Sequence, residues 1–190
     1  MLTRRLVQMM MMTLFAGLIA SCSGNSDDNV PLIFAAASLS DVLMESAEIY
    51  ERETGKRVDF SFGGSIALAN QIAKLGAPAD GVFLVGEEPE KILEELLLPV
   101  PSGNVVLRNS LVVIAGDGTG SIESLGDLVV GDFRVAIGDP SLAPAGRFAQ
   151  QALESAGVWN EMLDSLIFAI DVRAAMAAVE SGNSKYGIVY

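Results

Sequence analysis

The chain has 190 residues, no histidine, one cysteine and a formal net charge of −12. Without histidine it has no Ser-His-Asp or Cys-His catalysis and little zinc chemistry, and its acidity makes it a poor nucleic-acid binder that repels small anions at long range. A hydrophobic content of 51% with 6% aromatics suits one or two α/β domains rich in Ala, Val, Ile and Leu.

Residues 1–21 read as a secretory leader. Arg4 and Arg5 precede Leu6–Ala20, an apolar run of 15 residues, shorter than the ~20 a membrane span needs. The methionines Met9–Met12 are apolar filler in that run. Cys22 follows Leu18-Ile19-Ala20-Ser21, which resembles the lipobox of bacterial lipoproteins. The resemblance implies cleavage before Cys22 and a lipid on its sulfur; an ordinary apolar cysteine near a cleavage site is the alternative. Residues 22–30, with Ser23–Asn29 (SGNSDDN), read as a solvated tether. Removing the leader removes two basic residues and makes the mature chain more acidic still.

Strands and helices then alternate. Leu32–Ala35 reads as a strand and Leu39–Glu53 as a helix with Leu39, Val42, Leu43, Ala47 and Tyr50 on one stripe. Val58–Phe62 is a strand, Ile66–Leu75 a helix and Val82–Val85 a strand; Glu87, Glu88, Glu90, Glu94 and Glu95 mark an exposed helix face. Pro99–Asn109 and Gly116–Gly120 are turn-rich and read as flanks of a crossing between two lobes, with the strand Leu111–Ala115 between them. Arg134–Ile137, Leu166–Ile170 and Tyr186–Tyr190 are further strands, mostly buried. Arg147–Ala156 and Val172–Ser181 are further helices. Four of the helices stop at glycine: Gly55, Gly76, Gly157 and Gly182. The alternation predicts an α/β fold with largely parallel sheets, whose ligands sit at the carboxyl ends of the strands.

Five strand ends share one design. Ile33–Leu39 (IFAAASL), Phe60–Ala67 (FSFGGSIA), Asp139–Phe148 (DPSLAPAGRF), Asp171–Met176 (DVRAAM) and Gly187–Tyr190 (GIVY) each close an apolar run in small or hydroxyl residues. All but the last open a helix. The first N–H groups of a helix lack internal partners and, with the macrodipole, favour an anion. Several such junctions converging would hold an anion without Lys or Arg. By themselves the members are ambiguous. Ser38 and Ser65 read equally as N-caps, Pro144-Ala145-Gly146 as an ordinary Pro-started helix, Val172 as core and Tyr190 as a strand aromatic.

Taken in order, Ile33–Leu39, Phe62-Gly63-Gly64-Ser65, Gly76-Ala77-Pro78-Ala79-Asp80, Ile137-Gly138-Asp139-Pro140, Pro144-Ala145-Gly146, Asp171-Val172-Arg173 and Gly187-Ile188-Val189-Tyr190 resemble the molybdate-binding proteins of ABC importers. The resemblance runs from about Leu32 to Tyr190. It implies a two-lobed type II periplasmic-binding-protein fold, the first lobe over 31–113 and the second over 114–190, closing on the ligand like a clamshell. It also implies an oxyanion site. Ser38 and Ser65 would bond the anion from the first lobe, the amides of Ala145 and Val172 from the second, and the Tyr190 hydroxyl would complete the shell. The ligand would be molybdate or tungstate, with no cofactor. The protein would be an exported, lipid-anchored monomer facing the periplasm or cell exterior, not an enzyme, delivering its ligand to an ABC permease.

Gly81 stands where the family runs straight into a strand, and is expected to bulge the strand start. Arg147 and Arg173 flank ligand positions and read as rim charges or salt-bridge partners. Asp171, a carboxylate beside an anion site, reads as a helix N-cap turned away. The family continues for several tens of residues past the motif at Gly187–Tyr190, crossing back to the first lobe. The sequence is therefore expected to be C-terminally truncated, with that lobe incomplete and binding weakened. The rival readings are a surface-anchored hydrolase using paired carboxylates, and a non-transporting sensor or decayed product.

Overall fold

The computed structural model describes residues 30–95 and 105–190. The leader, the lipidation site Cys22, residues 22–29 of the tether and residues 99–104 of the turn-rich stretch lie outside the described residues. In chain order the elements are β1 (Leu32–Ala36), a 3-10 turn (Ala37–Leu39), α1 (Ser40–Thr54), β2 (Asp59–Gly63), α2 (Ser65–Leu75), β3 (Gly81–Phe83) and α3 (Glu87–Glu94). Then come β4 (Val112–Ala115), a 3-10 turn (Leu125–Leu128), β5 (Val135–Gly138), α4 (Pro144–Ser155), α5 (Trp159–Met162), a 3-10 turn (Leu163–Ser165), β6 (Leu166–Ala169), α6 (Val172–Glu180) and β7 (Tyr186–Val189).

The strands form two sheets, ordered β2-β1-β3 and β4-β7-β5-β6. Every pairing is parallel except β4 with β7. Burial follows position in the sheet. The inner strands β5 and β7 are buried throughout and β1 over most of its length, whereas the edge strands β2, β3, β4 and β6 are partly exposed. Continuous apolar runs without alternation are what strands covered on both faces require. The expected boundary between 113 and 114 falls inside β4, which pairs along its whole length with β7. Gly116–Gly120 likewise leads from β4 toward β5 within the same sheet, and is no flank of a crossing.

Two further expectations change. Gly81 makes no bulge: Ile33, Phe34 and Ala35 pair in unbroken register with Gly81, Val82 and Phe83. A Cβ on Gly81 would lie 2.9 Å from Ile33 Cδ1, so the glycine answers a side-chain contact. The apolar stripe of α1 is also less buried than its periodicity predicts. Leu39, Leu43 and Ala47 are half-buried, but Val42 and Tyr50 remain 48% and 43% exposed. Among the described residues nothing covers that side of the helix.

The second sheet carries two cores, because successive side chains alternate between its faces. Val135 and Ile137 of β5, with Tyr186 and Ile188 of β7, pack against Ala149 and Leu153 of α4 and Met162. Ala136 and Val189 turn the other way, onto Ala175 and Val179 of α6. Close approach is built in by glycine. A Cβ on Gly187 would sit 2.9 Å from Val179 Cγ2, and one on Gly146 would sit 1.9 Å from the Gly138 carbonyl oxygen. The first turn of α4 therefore lies directly on the end of β5. The Asp139 N–H donates to the Ala169 carbonyl at 2.7 Å and ties the β5 end to the β6 end.

Gly146→Ala must push α4 off β5. We expect it to lower unfolding free energy by about 1–3 kcal/mol, read as a shifted urea midpoint; an unchanged midpoint would contradict this packing.

Candidate functional site

The carboxyl ends of the parallel strands meet around one pocket. Its lining includes Ala37 and Ser38 after β1, Gly64 and Ser65 after β2, Val85 after β3, Ala143–Ala145 after β5, Asp171 and Val172 after β6, and Tyr190 after β7. All five residues expected to hold an oxyanion, Ser38, Ser65, Ala145, Val172 and Tyr190, line it. The enclosed void is about 10 Å³ in water-sized room, about what a single water needs and far below the ~300–1,000 Å³ usual for organic ligands.

The donors are set by local geometry. Ser38 sits inside the 3-10 turn that joins β1 to α1 and makes no capping bond. Its Oγ is buried without a hydrogen-bond partner, as is Tyr190 Oη. Ser65 is the first residue of α2 behind the N-cap Gly64, and is only 1% exposed. Its Oγ accepts the Val85 N–H at 3.0 Å. That bond occupies an acceptor site and leaves the single O–H to donate elsewhere. Pro144 opens α4 and has no N–H, so Ala145 supplies the first amide of that helix. Val172 supplies the first amide of α6, while its side chain packs into the core on that face of the sheet. Buried polar groups are nearly always paired. Two orphaned hydroxyls facing the same void as two helix N-termini describe a site that needs acceptors.

Asp171 is the charged side chain in the lining among the described residues. Its Oδ1 accepts the Ala174 N–H at 2.9 Å, so the carboxylate caps α6 as the sequence predicts. Arg147 and Arg173 do not line the void. Each makes an ion pair: Arg147 Nη2 with Glu88 Oε1 at 2.9 Å, and Arg173 Nη2 with Asp41. Both pairs link the helices of one sheet to those of the other. The Ala67 N–H also donates across, to the Leu142 carbonyl at 3.0 Å. A Cβ on Gly64 would come within 2.4 Å of Leu142 O and 3.1 Å of Ile170 O. The two halves thus meet at bare backbone over the pocket, in a closed arrangement.

Sequence reasoning missed Val85. It acts through its backbone amide, 20 residues from Ser65, so no side-chain signal marks it. The position of Val85 at a strand end just before a glycine, like the five junctions, is the one available cue.

The sequence profile of the bacterial extracellular solute-binding protein family matches residues 31–190. The chain is 36% identical over 166 residues to a molybdate-binding protein, ModA, of Haemophilus influenzae, covering 83% of this chain and 65% of that one. It is 35% identical over 191 residues to ModA of Escherichia coli, covering 94% and 74%. In structure it superposes on the periplasmic molybdate-binding protein of Azotobacter vinelandii with a TM-score of 0.69 at 24% identity, over 84% of this chain and 70% of that one. The fold is that of a two-lobed type II periplasmic binding protein. The chain belongs to the bacterial extracellular solute-binding protein family, and it spans just under two thirds of the length of the Haemophilus relative.

Burial pushes the Tyr190 hydroxyl up to about 12 from 10.0, so it stays a neutral donor in the folded protein. The unfolded phenol ionises first. Its contribution to stability is therefore full below pH 10 and is lost as pH rises toward 12. Wild type should lose stability relative to Tyr190→Phe between pH 10 and about 12, measured by urea unfolding. A gap between the two proteins that stays constant with pH would contradict this placement of the hydroxyl.

Proposed function

We propose that this protein captures molybdate or tungstate between its two lobes and delivers it to an ABC permease. The observation that carries the reading is the pair of orphaned buried hydroxyls, Ser38 Oγ and Tyr190 Oη, facing the same void as the first amides of α4 and α6. The two amides can only donate, and the two hydroxyls are free to donate as well. Molybdate has two negative charges and no proton near neutral pH, so every oxygen accepts. Hydrogen phosphate sets an O–H against the amide and hydroxyl donors, whereas molybdate meets them with acceptors alone. The small void favours an inorganic oxyanion over an organic ligand. The names of the Haemophilus and Escherichia relatives support the same choice.

Capture rests on rigid neutral groups. Hydrogen bonds to a charged acceptor contribute about 1.5–3 kcal/mol each, and helix amides cost little to organise. Closure follows a hinge motion of the lobes, and the permease reads the closed form. The lipobox resemblance at Cys22 supports an exported protein held at the membrane by lipid. The protein carries out no reaction of its own. The rival hydrolase reading needs paired carboxylates and draws no support from a pocket whose lining holds one, Asp171.

Molybdate should raise the melting temperature, with sulfate and phosphate far weaker. Ser65→Ala should weaken molybdate by about 1.5–3 kcal/mol, roughly tenfold to more than a hundredfold in Kd by calorimetry. Equal shifts with phosphate, or an unchanged Kd, would refute the assignment.

A further inference from the structure

We propose that Arg147 and Arg173 act as a paired electrostatic latch, drawing the anion toward the open cleft and then pairing across it with Glu88 and Asp41 to hold the closed state. The proposal rests on the anion-capture reading. Arg147 lies two residues after the ligand-facing Ala145, and Arg173 directly follows Val172. Both arginines belong to helices of the second sheet. Their partners occupy the first turns of helices of the first sheet, Glu88 in α3 and Asp41 in α1. The pairs join residues 59 and 132 positions apart in the chain. Any opening that separates Ser65 from Ala145 and Val172 parts them.

The construction of the Arg147 pair suits this use. Its Nε donates to the Pro140 carbonyl at 3.2 Å within its own half, so the guanidinium is aimed before its other arm meets Glu88. The pairs are partly exposed, with side chains 42% and 43% accessible for Arg147 and Glu88, and 35% and 80% for Arg173 and Asp41. Exposed pairs add little to folding, but these two act on the balance between open and closed.

The same geometry answers a problem of charge. At −12 the chain repels a dianion at long range. In the open cleft the two acids move away with their own half, leaving two guanidiniums beside the donor amides of α4 and α6. That local positive field steers the anion inward. On closure Glu88 and Asp41 neutralise the arginines, and the groups that donate to the ligand are themselves uncharged. The arginines are therefore positioning residues that raise the association rate when unpaired and slow dissociation when paired.

The test compares wild type, Asp41→Asn/Glu88→Gln and Arg147→Gln/Arg173→Gln. Release of radiolabelled molybdate into an unlabelled excess gives the dissociation rate, and calorimetry gives Kd. Spin labels at Lys56→Cys and Asn160→Cys, with Cys22→Ser, report the distance between halves. Removing the acids should speed release about 1.4- to 5-fold per pair, leave association unslowed, and enlarge the long-distance population. Salt at 0.5 M should speed release from wild type and barely affect the acid variant. Removing the arginines should speed release and also slow association. Wild-type release rates and distance distributions in the acid variant would overturn the latch. If wild type retains no molybdate, the function reading fails instead; the ligand-free distance distributions of wild type and the acid variant still decide the latch.

Discussion

Hydrogen-bond donors held out of water without acceptors are the constraint around which this structure is arranged. An unsatisfied buried polar group costs about 1–3 kcal/mol, and here Ser38 Oγ and Tyr190 Oη are both in that condition. Their neighbours do not relieve them. Ser65 Oγ, the one of the three site hydroxyls with a partner, accepts the Val85 N–H and so remains a donor toward the void. The scaffold offsets this by burying two apolar cores on the second sheet and by capping α6 through Asp171. A small anion carrying only acceptors removes the penalty and adds charge-assisted bonds.

Small residues are the means by which distant strand ends reach one point. Gly146 lets α4 start on top of β5, and Gly64 lets the turn after β2 touch the Leu142 and Ile170 carbonyls of the opposite half. With side chains at these places the amides of Ala145 and Val172 would stand away from Ser38 and Ser65. The halves then meet through backbone and through two ion pairs, Arg147 with Glu88 and Arg173 with Asp41. Closure and ligand geometry are thereby coupled. What brings the halves together also completes the ring of donors.

Much of this was legible in the sequence, for identifiable reasons. All seven strands appear as bounded apolar runs, and the structure moves their ends by one or two residues. The α2 end was readable from Gly76, whose φ of 65° closes the helix. The start of α4 was readable from Pro144, a residue favoured at a helix's first position, although the apolar periodicity begins only at Arg147. The turn of helix at Trp159–Met162 is too short to show a period at all. The chemistry of the junctions was visible as small and hydroxyl residues, but their convergence belongs to topology. Long-range partners were not readable: Arg147 was recognisable as a rim charge, yet nothing local points to Glu88. Val85 contributes a main-chain amide, which no residue type announces. The stripe of α1 was read correctly as apolar, but periodicity does not say whether another layer covers it.

The central claim is that neutral donors from both sheets surround the anion. A crystal structure of the protein with molybdate tests it most directly. The account predicts the metal oxide within hydrogen-bond distance of Ser38 Oγ, Ser65 Oγ, Tyr190 Oη and the amides of Ala145 and Val172, with both arginines outside its shell. An anion bound instead to the Arg147 or Arg173 guanidinium, or lodged away from these strand ends, would contradict it.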